Sequence, residues 1–235
     1  MRFVPVRDVD QQAVLMLHRA RSLMVASRTA QVNQIRGLLG EFGIVVPQGV
    51  NKLRERLPGI LEDVENGLPG LGREIFESLL EQLRYFDEQL GLYDRRIAQI
   101  AANSEPVKRL MAIEGVGPIT ATAMVASVGD ARTFQNGRQF AAWLGLTPSQ
   151  NSSGGKTRLG RITKRGDTYL RTLLIHGSRA ALRTAETKVD RKSRWAKALE
   201  ERSGHNIAAV ALAAKHARII WAKLVRGTDY QSAAA

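Results

Sequence analysis

Two long stretches without proline set the outline of this chain. From Val9 to Phe42 the residues Ala, Leu, Gln and Arg dominate, with an interrupted apolar stripe at Ala13, Leu17, Ala20 and Met24, then Val32, Ile35, Leu39 and Phe42. From Leu71 to Asn103 apolar residues fall at Leu79, Leu83, Phe86, Leu90, Tyr93, Ile97 and Ile100. That spacing alternates four and three, which a helix can bury as one continuous seam and a strand cannot. Each arm is therefore predicted to be a helix, roughly 45–50 Å long at ~1.5 Å per residue. Between them, Gly43–Gly72 carries Pro47, Pro58 and Pro69 among recurring glycines, and reads as a connector with at most a short helix around Asn51–Arg56. The arms either fold on each other as an antiparallel hairpin or pair with those of a second subunit. Their length favours a homo-oligomer, a dimer or tetramer, held by the coiled coil.

Charge divides the chain in two. Residues 1–105 hold 13 basic and 14 acidic side chains, whereas residues 106–235 hold 22 basic and 8 acidic, within a formal net charge of +13. A polyanion is the expected partner, and the second part is where it should bind. The domains read accordingly: 1–105 a coiled-coil helical hairpin with its Pro/Gly-rich connector, and 106–235 a helical DNA-binding domain. Helices in the second part are predicted at Val107–Ile113, Pro118–Ser127, Asn136–Leu144, Asp167–Arg183, Arg191–Arg202 and Ile207–Val225, the last as a buried closing helix. No convincing strand is found, so the fold class is all-α.

Two segments of the basic part could carry chemistry. Leu110–Ala126, centred on Ile113-Glu-Gly-Val-Gly-Pro-Ile-Thr120, reads as a helix-hairpin-helix. Gly115 and Gly117 would let the backbone approach a phosphate, and the amides at the start of the next helix, near Thr120, would present partial positive charge to it. Such a clamp grips DNA without reading its sequence. The same residues also suit a Gly-X-Gly turn between core helices, since Ala121, Ala123 and Ala126 permit close packing. The second segment is the loop Thr147–Gly166 with Lys156, Arg158, Arg161, Lys164 and Arg165. Its Gly-Gly-Lys-Thr is not a nucleotide-binding P-loop, because Gln150 stands where that pattern needs glycine and no buried strand precedes it. It reads instead as a phosphate-gripping loop in which Ser153 is either a turn residue or a nucleophile ringed by cations. Asp167 is placed to cap the following helix, with Leu170, Leu173, Leu174 and Leu182 inward and Arg171, Arg179 and Arg183 outward. Trp195, Trp221 and Tyr169 could stack on bases, although core packing is the ordinary role of each.

Other classes are excluded. Cysteine is absent, and His18, His176, His205 and His216 are too dispersed to read as a ligand set, so no metal site is expected within this chain. No apolar run approaches the ~18–20 residues of a membrane span, and the N-terminus lacks a signal-peptide core. The reading is cytoplasmic and nucleoid-associated, with no membrane partner.

The chain resembles the insertion-sequence one-ten family of transposases, in particular its eleven-eleven subgroup, related to the Piv-type DNA invertases. The segments that carry the resemblance are Arg2–Val6, Arg28–Gly37, Phe42–Gly49, Ile113–Gly117, Ala141–Pro148, Ser152–Gly155 and Lys164–Gly177, and they extend end to end. The resemblance implies a DNA transposase or site-specific recombinase whose nucleophile corresponds to Ser153, with Ser152 as the neighbouring register. It also implies a coiled-coil insertion, DNA element ends and target as substrates, a guide RNA as a further partner, and Mg2+ held by an acidic N-terminal domain. That acidic quartet lies upstream of the segment matched by Arg2–Val6. The chain therefore reads as N-terminally truncated, without a cofactor of its own, and inactive in isolation. The alternatives are a catalytically inactive DNA-binding remnant or regulator of the intact transposase, and an RNA-binding protein without DNA chemistry.

Overall fold

Helices account for most of a computed structural model that describes residues 7–151, 156 and 158–228. In chain order they are α1 (Val9–Glu41), α2 (Val50–Glu62), α3 (Gly70–Asn103), α4 (Glu105–Met111), α5 (Pro118–Val128), α6 (Gly137–Trp143), α7 (Thr168–Arg183), α8 (Arg191–Ser203) and α9 (His205–Arg226). The all-α expectation holds. Among the described residues, two short antiparallel strands interrupt it, β1 (Pro148–Gln150) and β2 (Leu159–Ile162). They lie inside the loop for which no strand was expected. Each is too short to show a period, and only the pairing of Pro148 with Ile162 and Gln150 with Leu159 defines them.

Residues 16–96 form one compact unit, and segments 1–15 and 97–235 form the other. In the first, Val32, Ile35 and Leu39 of α1 meet Leu53 and Leu57 of α2 and Phe76, Leu80 and Leu83 of α3. α2 is twice as long as the connector suggested and runs through Pro58. Interior proline costs a helix about 3 kcal/mol. Full burial of Leu53 and Leu57, with Ile60 and Leu61 against the same core, offsets that cost. Arg73 then satisfies the end of α2 by donating to the carbonyls of Leu61 (2.6 Å) and Asp63 (2.7 Å).

The two long arms run antiparallel along this unit. Arg21 of α1 pairs with Asp94 of α3 at 2.5 Å, Arg28 with Asp87 at 3.1 Å, and Gln31 Nε2 donates to the Leu79 carbonyl at 3.0 Å. The seam of α3 is rotated from the one its apolar residues suggested. The buried line is Phe76, Leu80, Leu83, Leu90, Ile97 and Ala101, while Leu79, Phe86, Tyr93 and Ile100 are only half-buried. Asp87 and Asp94 continue the four-three spacing of the buried line, and α1 supplies an arginine to each.

In the second unit α9 is the central helix, packing against α4, α6, α7 and α8. A large core gathers Leu110, Ile113, Met124, Phe140, Leu144, Leu170 and Ile220 among others. A smaller one joins Ala181, Leu182, Ala196, Ala208, Ala209 and Leu212.

Candidate nucleic-acid interface

The loop from Thr147 to Gly166 is built on the end of α6 and the start of α7. Gly145 and Gly166 have positive φ (71° and 116°), and a Cβ on either would overlap the backbone of Arg165 or Trp143. Only glycine permits that approach. Lys164 N donates to the Gly145 carbonyl at 3.1 Å, Thr163 N to Thr147 O at 2.9 Å, and Asn151 N to Arg158 O at 2.9 Å, closing a hairpin around β1 and β2. Ile162 packs on the core. Lys156, Arg158, Arg161, Lys164 and Arg165 are all exposed. Residues 148–166 contain no Asp, Glu or His. Ser152, Ser153 and the two glycines after them lie outside the described residues.

Asp167 caps α7 as predicted, its carboxylate accepting from Leu170 N at 3.0 Å. Arg171 departs from expectation: it is 7% exposed, with its guanidinium donating to the Leu144 carbonyl (3.2 Å) and Thr168 Oγ1 (3.1 Å). It is a strut between α7 and the C-terminus of α6, where a cation meets the unsatisfied carbonyls favourably. Arg179 is engaged with Asn206 Oδ1 at 3.1 Å, and Arg183 is exposed.

The glycine-rich turn between α4 and α5 forms, but its residues divide between two roles. Gly115 (φ 79°) presses its Cα against the Gly177 backbone of α7, which leaves no room for a Cβ on either residue. That contact explains the glycine by packing, in place of the phosphate approach expected for it. Thr120 is 6% exposed, so its side chain faces the interior and not a DNA backbone. Gly117 differs: nothing lies within 4 Å of where its Cβ would be, and α5 begins after it with Pro118 at its first turn and no side-chain cap. The amides of that turn have no intrahelical partner. Glu114 fastens the turn to the segment after α7, accepting from Thr184 Oγ1 (3.2 Å), Lys192 Nζ (3.2 Å) and Lys188 Nζ. Burial pushes this carboxyl up, but the two lysines outweigh burial and hold it below the usual carboxylate range. The sequence motif contained Glu114 without a role, because its partners lie seventy or more residues away.

The aromatic residues also separate. Tyr169 and Trp221 pack on the core, Trp221 donating from Nε1 to the Ala131 carbonyl at 3.1 Å. Trp195 is 37% exposed, with the Lys215 ammonium 4.3 Å from its ring centre. α9, expected to be a buried closing helix, buries seven residues and shows solvent a half-buried Lys215 and an exposed Arg218. Behind that face Ser178 and His216 share a fully buried hydrogen bond of 3.0 Å, and His216 Nε2 has no hydrogen-bond partner. Among the described residues no three His, Asp or Glu side chains come together as a metal site, and no helix is long and apolar enough to cross a membrane.

Comparison with known proteins converges on one family. Residues 107–194 match the family described as Transposase IS116/IS110/IS902. Over 232 residues the chain is 48% identical to a probable family 20 transposase of Pseudomonas aeruginosa, covering 98% of this chain and 69% of that protein. It is 46% identical over 234 residues to the transposase for insertion sequence element IS1111A of Coxiella burnetii, covering 100% of this chain and 64% of the relative. To the transposase for insertion sequence element IS1328 of Yersinia enterocolitica it is 37% identical, with 98% and 68% covered. The chain thus spans about two thirds of the length of these relatives.

Proposed function

The chain belongs to the IS116/IS110/IS902 family of insertion-sequence transposases, and on that premise we propose that residues 106–235 grip the DNA of element ends and target through the β1–β2 hairpin. The observation that carries this reading is the set of five exposed cations on a segment with no carboxylate, anchored to two helices by glycines that admit no side chain. Phosphates are the natural counterions of such a surface, and contacts of this kind fix position without reading bases. The uncapped start of α5 after Gly117 adds backbone amides of matching polarity.

Ser153, between β1 and β2 in the sequence, is the proposed nucleophile. Its hydroxyl oxygen attacks a DNA phosphorus and displaces a deoxyribose oxygen, leaving a phosphoserine link, while Lys156, Arg158 and Arg161 offset the charge that builds on the phosphorus oxygens. What supports the role is the family resemblance of the Ser152–Gly155 segment and its place between described, cationic flanks. The hairpin has no carboxylate or imidazole to take the serine proton, so that acceptor must come from elsewhere. The magnesium implied for the family finds no fitting donor set among the described residues. Residues 16–96 are proposed as the oligomerisation element.

The test is a salt titration of duplex DNA binding by this chain, beside a variant with all five hairpin cations changed to Ala. Each phosphate contact contributes about 0.9 to the slope of log affinity against log salt, so the variant should lose about 4 to 5 of it. A wild-type slope near zero rejects the DNA reading. In a recombination assay with the full-length transposase, Ser153→Ala should abolish product and leave binding intact.

A further inference from the structure

Two open grooves adjoin on the outer face of α9. One, about 480 Å3, is lined by Trp195, Lys215, Arg218, Ile219 and Ala222. The other, about 360 Å3, is lined by Asn136, Gly137, Arg138, Arg218, Trp221 and Ala222. They share Arg218 and Ala222, so together they form one trough, with Trp195 lining one groove and Trp221 the other. The trough exists because α6 starts flush against α9: a Cβ on Gly137 would lie 3.1 Å from the Arg218 Cα. None of its residues belongs to the β1–β2 hairpin.

Its chemistry is specific. Lys215 sits over Trp195 and is depressed below the ordinary lysine range, first by burial and then by Arg218, Arg191 and Lys192, with Asp190 alone opposing. Lys215, Arg218 and Arg138 line the two grooves, with no carboxylate among the lining residues. An entering anion relieves the repulsion on Lys215. Apolar floor residues Ile219 and Ala222 and the half-exposed Trp195 offer surface to a flat apolar group. Flat surface beside cations suits a strand whose bases are unpaired and whose phosphates recur, whereas a duplex hides its base faces.

We infer that the α9 trough is a second nucleic-acid site, which holds a single strand by stacking a base on Trp195 and pairing its phosphates with Lys215, Arg218 and Arg138. The inference rests on the transposase reading for its biological setting, but the binding it describes is separate from the hairpin's grip on duplex.

Oligo-dT, oligo-U and a duplex of the same length are titrated against the chain, following tryptophan fluorescence and, independently, anisotropy of a labelled strand. Trp195→Ala should weaken single-strand binding by about 5- to 150-fold, the range found for losing one stacking platform. Trp195→Phe should retain binding within a few-fold while losing most of the fluorescence quench. Arg218→Ala should reduce the single-strand salt slope by about 0.7. Duplex affinity should stay within about twofold in all three. Equal losses for dT and U mean that the trough takes either strand chemistry; loss confined to one identifies the strand it takes. Unchanged dT and U affinity in Trp195→Ala, with wild-type circular dichroism, overturns the inference. Failure of duplex binding in the unmodified chain would instead count against the hairpin reading.

Discussion

Gly115 and Gly177 meet backbone to backbone, each occupying the space where the other's Cβ would stand. One is in the turn before α5 and the other inside α7, so this contact joins the glycine-rich turn to the helix that follows the cationic hairpin. Gly177→Ala would ordinarily favour a helix by about 1 kcal/mol. Here the new methyl must displace the Gly115 carbonyl, and overpacking of that kind costs about 1–3 kcal/mol. Urea unfolding should therefore give a lower midpoint for Gly177→Ala. A raised midpoint would mean that the two backbones do not touch.

Stability should fall in mild acid because of His216. Burial, then Lys192 and Lys215, lower its pKa from 6.5 to about 3, with Glu114 opposing. Above 6.5 the imidazole is neutral folded or unfolded and contributes no pH dependence. As pH falls from 6.5 towards 3 the unfolded chain takes up a proton that the folded one refuses, so stability is lost across that window. Between pH 7.5 and pH 5 the loss from this residue is about 2 kcal/mol. Denaturant curves at the two pH values should show a drop, and His216→Gln should show it smaller by about that amount, with buried His18, lowered to about 4 by burial and Arg21, contributing to the remainder.

Asp87 is shared by Arg28 and Arg54, whereas Asp94 pairs with Arg21. Removing Asp87 strands two arginines, one of them with a buried Nε that has no partner. Asp87→Ala should destabilise residues 16–96 by about 1–2 kcal/mol, and Asp94→Ala by less than about 1 kcal/mol. Hydrogen exchange of α1 and α3 amides reads the difference. Equal effects would indicate that the network adds nothing to the single pair.

Lys164 is the one described non-glycine residue with positive φ, at 55°. A left-handed conformation costs an L-residue about 1–2 kcal/mol, and glycine is free of that penalty but loses more chain entropy on folding. Lys164→Gly should leave thermal stability unchanged or slightly higher. Its DNA salt slope should shrink by about 0.9 if the side chain contacts a phosphate. An unchanged slope would remove Lys164 from the interface and leave the other four cations to account for it.

What the sequence by itself determined was local: eight of the nine helices among the described residues within a few residues of their ends, α2 being the exception, the Asp167 cap, and the concentration of positive charge after residue 105. Periodicity, capping and composition are properties of neighbours in the chain, so no tertiary information was needed to read them. Tertiary structure decided which charged residues are inside. Asp87 is half-buried on the α3 seam, where Arg28, 59 residues away, meets it; Arg171 is a buried strut because Leu144, 27 residues away, presents a carbonyl. The α9 trough exists because α6 lies against Arg218. A polar side chain is tolerated in the interior only when a partner satisfies it, and the chain order does not say which distant residue will arrive. The pairing of β1 with β2 has the same origin, since each strand is too short to declare itself without the other.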